Sequence, residues 1–179
     1  MMQKPETRFI QRINRLLPLL RGNNSGAGMI HYEKMNNPYR SGTADSWYSG
    51  EGGDLWVEWK FVDKIPRSAD GTTLCINAQR LLRPMQTVWL NGRLAEGRKV
   101  VVIIGCEKGG VILENGEWNE IVNISTSAKS AAPNEECVKR LQSAVEIALF
   151  VKRQTLHSPL RKGEGNDGKE VYSLNGGDI

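Results

Sequence analysis

The sequence predicts an α/β fold, a central mixed β-sheet flanked by helices. Apolar residues at helical spacing open the chain, at Phe9, Ile10, Ile13, Leu16, Leu17 and Leu20. A period of two follows in residues 55–61, where Leu55, Val57, Trp59 and Phe61 alternate with Trp56, Glu58 and Lys60, the signature of a strand. A second helix from Pro84 then runs into the β-branched stretch 99–105. That order suggests a crossover returning a strand, buried on both faces, to the same sheet.

Taken in order, the first helix begins after Pro5 and ends or kinks at Pro18. The Gly-rich run 22–28 lacks the Gly-Lys-Ser/Thr ending of a phosphate cradle and follows no buried strand, so it reads as a flexible connector. A short strand over 29–35 sets His31 and Glu33 on one side, either toward substrate or as ordinary strand surface. After the 55–61 strand, residues 62–77 are polar and hold Asp63, Lys64 and Arg67, as expected of a loop. In the Pro84 helix Met85, Val88, Trp89 and Gly92 form one stripe, Gln86 lies off it, and Gly97 supplies the stop. Residues 111–113 lead into an Asn115-Gly116 hairpin turn. Asn134 is the expected cap of a final helix, with Glu135 and Glu136 in its first turn, Val138, Leu141, Val145, Ala148 and Leu149 as its apolar face, and Lys152 and Arg153 at its end. The expectation is one domain over residues 1–157 and a polar, Gly-rich, flexible or partner-bound tail over 158–179.

With 179 residues, 39% of them hydrophobic, the chain can bury one sizeable core. No apolar run approaches the roughly 20 residues that cross a bilayer, and the N-terminus shows no signal-peptide h-region. Cys75, Cys106 and Cys137 are widely separated without a C-x-x-C, which suggests neither a disulfide framework nor a zinc ribbon and fits a reducing cytoplasm. The formal charge of +4 is concentrated: residues 1–22 hold Lys4, Arg8, Arg12, Arg15 and Arg21 against Glu6, and the remainder is balanced. Arg8, Arg12 and Arg15 fall on one helix face, where they either neutralise nucleic-acid phosphates or form a solvated surface.

The chemistry-bearing stretch is Gly42-Thr43-Ala44-Asp45, a Gly-rich turn, and then a strand that contains Glu58-Trp59-Lys60. Period two puts Glu58 and Lys60 on one face, so an acid and an ammonium share a small space. Cutting a phosphodiester calls for hard carboxylate oxygens to hold Mg²⁺ or Mn²⁺, and for a cation beside the attacking water and the phosphate. Asp45 and Glu58 are the candidate ligands, Lys60 the candidate cation, and the Trp59 carbonyl, between the two side chains, a third oxygen. Glu6 points to the buried side of its helix, where it needs a partner such as a metal site, unless it only favours the helix dipole after Pro5. A bare acid-x-Lys also arises on solvated strands, and in that case Asp45 and Glu58 should lie far apart.

This arrangement resembles the PD-(D/E)XK nuclease superfamily, and within it the phage and VRR-NUC-like endonucleases related to Holliday-junction-resolving enzymes. The resemblance spans residues 6–113 and matches Glu6 on the opening helix, Asp45 at a strand end, Glu58 with Lys60 on the next strand, and Gln86 in the following helix. Ala44 departs from it, standing where these enzymes usually carry proline. The resemblance implies a restriction-endonuclease-like core and a Mg²⁺-dependent (or Mn²⁺-dependent) deoxyribonuclease with DNA as partner. It implies Asp45, Glu58, Lys60 and Gln86 as catalytic residues, and Glu6 in the metal shell. Junction resolution would favour a homodimer, because two symmetric strands must be cut. A non-catalytic nucleic-acid-binding protein on the same fold is the alternative.

Overall fold

A computed structural model describes residues 3–20, 28–35, 42–65, 74–125 and 139–157. In chain order it contains α1 (Pro5–Asn14), β1 (His31–Lys34), β2 (Ser46–Gly50), β3 (Gly53–Phe61), β4 (Leu74–Asn77), α2 (Pro84–Ala95), β5 (Val100–Cys106), β6 (Gly109–Leu113), β7 (Ile121–Ser125), β8 (Lys139–Arg140) and α3 (Ala144–Leu156). The main sheet has the order β1-β2-β3-β5-β6, and β4-β7-β8 form a second sheet. In the main sheet β3 and β5 pair in parallel and the other neighbours are antiparallel. The fold is therefore the mixed-sheet α/β architecture that the sequence predicts.

Alternation in β3 assigns its two faces. Leu55, Val57 and Trp59 join Phe9 and Ile13 of α1 and Ile147, Ala148 and Val151 of α3 in one core. On the opposite face Val100, Val102 and Ile104 of β5 pack with Leu90 of α2 and with Ile76, Val122 and Ile124 of the second sheet. All seven β5 residues are buried, which explains a run apolar at every position. Phe9 fixes α1 on the sheet, its ring edge-on to Trp59 at 6.0 Å and to Phe61 at 6.1 Å. Its approach requires glycine at position 105, where a Cβ would lie 2.5 Å from the Phe9 ring.

Several local expectations give way to tertiary packing. Helix α1 ends at Asn14, four residues short of Pro18, and Leu16 and Leu20 are exposed. The pairing of Leu19 with Ile30 replaces the last turn. Within the expected 62–77 loop, 74–77 form β4. The Asn115-Gly116 turn has the positive φ angles expected (52° and 88°), but it leads through a short 3₁₀ turn to β7 in the second sheet, so β6 finds its antiparallel partner in β5 instead. The last helix starts at Ala144 with Ser143 as cap, its hydroxyl accepting the Glu146 N–H at 3.3 Å while the Glu146 carboxylate accepts the Ser143 N–H at 2.7 Å. Its buried face is Ile147, Ala148, Phe150 and Val151; Val145 and Leu149 are exposed. Asn134, Glu135, Glu136, Val138, Cys137, the connector at 21–27, Arg67 and the tail at 158–179 lie outside the described residues. Among the described residues no helix is long and apolar enough to cross a membrane.

Candidate active site

The tight turn between β2 and β3 lays their strands antiparallel, with Ser46 opposite Val57, so Asp45 at the start of β2 comes beside Trp59 near the far end of β3. Even-numbered residues of β3 direct their backbone toward β5, as in the bonds from Trp56 N–H to the Lys99 carbonyl and from Val62 N–H to the Gly105 carbonyl. The Trp59 N–H and carbonyl therefore face the β2 side. There the N–H donates to Asp45 Oδ2 at 3.0 Å, and the Trp59 indole N–H donates to Ser46 Oγ at 3.0 Å. With its ring fully buried in the core, Trp59 holds Asp45 in place from the main chain.

Glu58 projects from the other face of β3 and is completely buried. Its Oε1 accepts from Lys60 Nζ and from Gln86 Nε2, the latter at 2.5 Å. Its Oε2 is buried without a hydrogen-bond partner. Loss of solvent is the main cause that pushes the Glu58 carboxyl up to about 8; the neighbouring Asp45 charge adds to it, and Lys60 opposes it. Asp45 and Glu58 thus converge, contrary to what a coincidental acid-x-Lys would give. Glu6 also senses the site: burial and then Asp45 raise its carboxyl, against Lys60, Lys34 and Lys4.

Gln86 corrects the reading of α2. Of the residues expected as its apolar stripe, Met85 is 52% and Val88 63% exposed while Trp89 packs in part against the core, and it is Gln86 and Leu90, one helical turn apart, that face the sheet. A polar residue can occupy that inward position because both ends of its amide are used: Nε2 on Glu58, Oε1 accepting the Arg83 N–H at 3.0 Å at the helix start. Gln86→Ala removes a donor from Glu58 and a cap from α2. Loss of about 1–2 kcal/mol in thermal unfolding is expected, with a roughly 10–100-fold fall in any activity that depends on Glu58 orientation.

Gly42 explains the glycine of the motif. Its φ is 97°, and a Cβ there would lie 2.3 Å from the Met85 carbonyl oxygen, so the turn before Asp45 presses directly on the first turn of α2. Gly42→Ala should separate the Asp45 turn from Gln86 and cost on the order of 1–3 kcal/mol, read as a lower unfolding midpoint in denaturant. Ala44, at the position where the resemblance expects proline, is fully buried.

The basic helix face is placed differently from the acids. Arg8, Arg12 and Arg15 are exposed and form no ion pair among the described residues, and Arg12 lies over the Phe9 ring at 5.7 Å. Arg8 and Arg12 open onto a cavity of about 370 Å³ that also meets Asp63 and Glu107. Lys34 and Trp89 were not legible as neighbours of the site; Lys34 has no motif, and Trp89 reaches Trp56 only once α2 is docked.

The residues fit a divalent cation on one observation above all, the buried, unpartnered Glu58 Oε2 beside a second carboxylate. Among the described residues no three acid, imidazole or thiol side chains converge to enclose an ion, so Glu6 does not join Asp45 and Glu58 in one cluster.

No family model matches the chain, and no curated protein matches it. Among solved structures, the chain is similar to Hjc from Archaeoglobus fulgidus, a Holliday junction resolvase, with 13% identity and a TM-score of 0.36, over 68% of this chain and 90% of that one.

Proposed function

We propose that this protein is a metal-dependent endonuclease that hydrolyses phosphodiester bonds in DNA, branched or junction DNA included. The observation that carries the reading is Glu58: fully buried, one oxygen shared by Lys60 and Gln86, the other unpartnered next to Asp45. Asp45 and Glu58 would hold Mg²⁺ or Mn²⁺, with the Trp59 carbonyl as a main-chain oxygen and Glu6 reaching the ion through water. Such an ion supplies acidity to an attacking water and stabilises charge on the phosphate and leaving oxygen.

The chain's own groups do the remaining work. Trp59 N–H fixes the Asp45 carboxylate. Gln86 holds Glu58 Oε1 and leaves Oε2 without a protein partner. Lys60 brings an ammonium to the same face, where it orients the attacking water and offsets phosphate charge. Arg8, Arg12 and Arg15 share the exposed side of the opening helix, roughly opposite Glu6, and would offer backbone phosphates a basic surface apart from the acids. A symmetric junction would need two such sites, from two copies of the chain.

The test is a panel of labelled DNA junction, duplex and single strand, plus RNA, incubated with Mg²⁺, with Mn²⁺ or with EDTA. Cutting of DNA that depends on the added ion is the expected result; cutting undiminished in EDTA, or none on any substrate, contradicts it. Arg12→Ala should weaken DNA binding and reduce the slope of log affinity against log salt by about 1.

A further inference from the structure

Trp56 lies two residues before Glu58 on β3, so both side chains leave the same face, about 7 Å apart along the strand. Its ring belongs to a row. Trp47, directly opposite on β2, stacks on it with ring centres 6.0 Å apart and planes at 26°. Trp89 of α2 meets Trp56 edge-on at 5.4 Å, and His31 of β1 meets Trp47 edge-on at 5.4 Å. Trp56 and Trp89 pack in part against the core below α2, which leaves the rest of the row open. Trp59, Trp118 and Tyr48 are fully buried, whereas Trp47, Trp56 and Trp89 are half-buried and His31 is exposed.

Cationic groups border the row. The Arg93 guanidinium lies over Trp89 at 5.9 Å, held by an ion pair with Glu96 at 2.5 Å, and Arg98 is exposed. Trp56, Trp89, Arg93 and Arg98 line one open cavity of about 410 Å³, together with Asp54, Thr43 and Met35. Flat apolar rings, flanking guanidiniums and a place on the same β3 face as Glu58 suit one occupant: a nucleobase out of its helix, its phosphates beside the arginines.

We propose that the Trp47–Trp56–Trp89 face is a stacking platform for an unpaired base of the DNA whose backbone crosses Asp45 and Glu58. The proposal rests on the nuclease reading and adds the substrate class: DNA that exposes an unpaired base beside the cut, as flaps, gaps, junction arms and single strands do. Every base has a π-face, so the platform tolerates any sequence and selects against continuous duplex.

The experiment uses the full chain in EDTA, titrated with a 2-aminopurine-containing single strand, a flapped duplex, a blunt duplex of the same sequence, and the matching RNA strand. Tryptophan and 2-aminopurine emission should both be quenched by the single strand and the flap, and far less by the blunt duplex. Trp56→Leu and Trp89→Leu should weaken single-strand binding about tenfold or more, and Trp56→Phe and Trp89→Phe should restore most of it. Equal affinity for blunt duplex and single strand in the wild-type chain overturns the proposal even if a leucine variant fails to fold. So do leucine variants that bind like wild type, or RNA bound more tightly than DNA. Cutting is read separately with Mg²⁺: a chain that stacks unpaired bases but never cuts keeps the platform and removes the nuclease, and one that cuts flap and blunt duplex alike does the reverse.

Discussion

Lys60→Ala is expected to lower Mg²⁺-dependent cutting of DNA by about 10²–10³-fold, and Asp45→Asn to remove it. The physical ground is that each residue contributes one thing its neighbours cannot replace. Lys60 is the ammonium in contact with Glu58 on the site face, and its side chain remains 18% exposed, so it reaches both the acid and an incoming phosphate. Asp45 is the carboxylate anchored by the Trp59 main chain; asparagine keeps a bond to that N–H but lacks the charge that a hard cation requires. Both substitutions leave the two cores untouched, so circular dichroism should match wild type while cutting falls in Lys60→Ala and vanishes in Asp45→Asn. Undiminished cutting in both variants would reject the assignment.

Glu58→Gln should make the metal-free protein more stable near pH 8, an unusual direction for a change at a fully buried residue. In the unfolded chain this carboxyl gives up its proton near 4.5, and in the folded chain it keeps it to about 8. Between those limits the native state binds more protons than the unfolded one, so the stability this group contributes is full below about pH 4.5 and falls by roughly 1.4 kcal/mol per pH unit as pH rises. At pH 8 the loss is on the order of 4 kcal/mol at most. Glutamine keeps an oxygen for Lys60 and Gln86 and does not ionise. Thermal unfolding in EDTA from pH 5 to pH 8 should show wild type losing several degrees more than the variant. Mg²⁺ should restore wild type at pH 8 and leave the variant unchanged. Parallel pH profiles for the two proteins would show that Glu58 does not carry the burden of an uncompensated buried charge.

Legibility in the sequence follows how local each feature is. The strand carrying Glu58 and Lys60 is readable because a period of two is a property of the strand alone, and β5 because burial on both faces leaves no polar position. Asp45 was readable as a partner because a tight turn makes the β2–β3 register nearly determined. What failed depends on contacts across the chain. Gln86 faces inward because Glu58 is there to receive its amide, so the apolar stripe of Met85 and Val88 pointed to the wrong side of α2. Strand β4 exists because the distant β7 pairs with it, Asn77 opposite Ile121 at one end and Leu74 opposite Ile124 at the other, a pairing with no local mark. Trp56 had a place in the sequence beside Glu58, but the row it makes with Trp47, Trp89 and His31 requires three strands and a helix to be assembled.

Calorimetric titration of the purified chain with Mn²⁺ at pH 7 tests most directly whether Asp45 and Glu58 form one cation site. The expected result is one ion per chain with release of a proton on the order of one per ion, the one Glu58 holds in the metal-free state, and loss of that binding in Asp45→Asn. Mn²⁺ bound equally well by Asp45→Asn, or not bound by wild type at all, would contradict it.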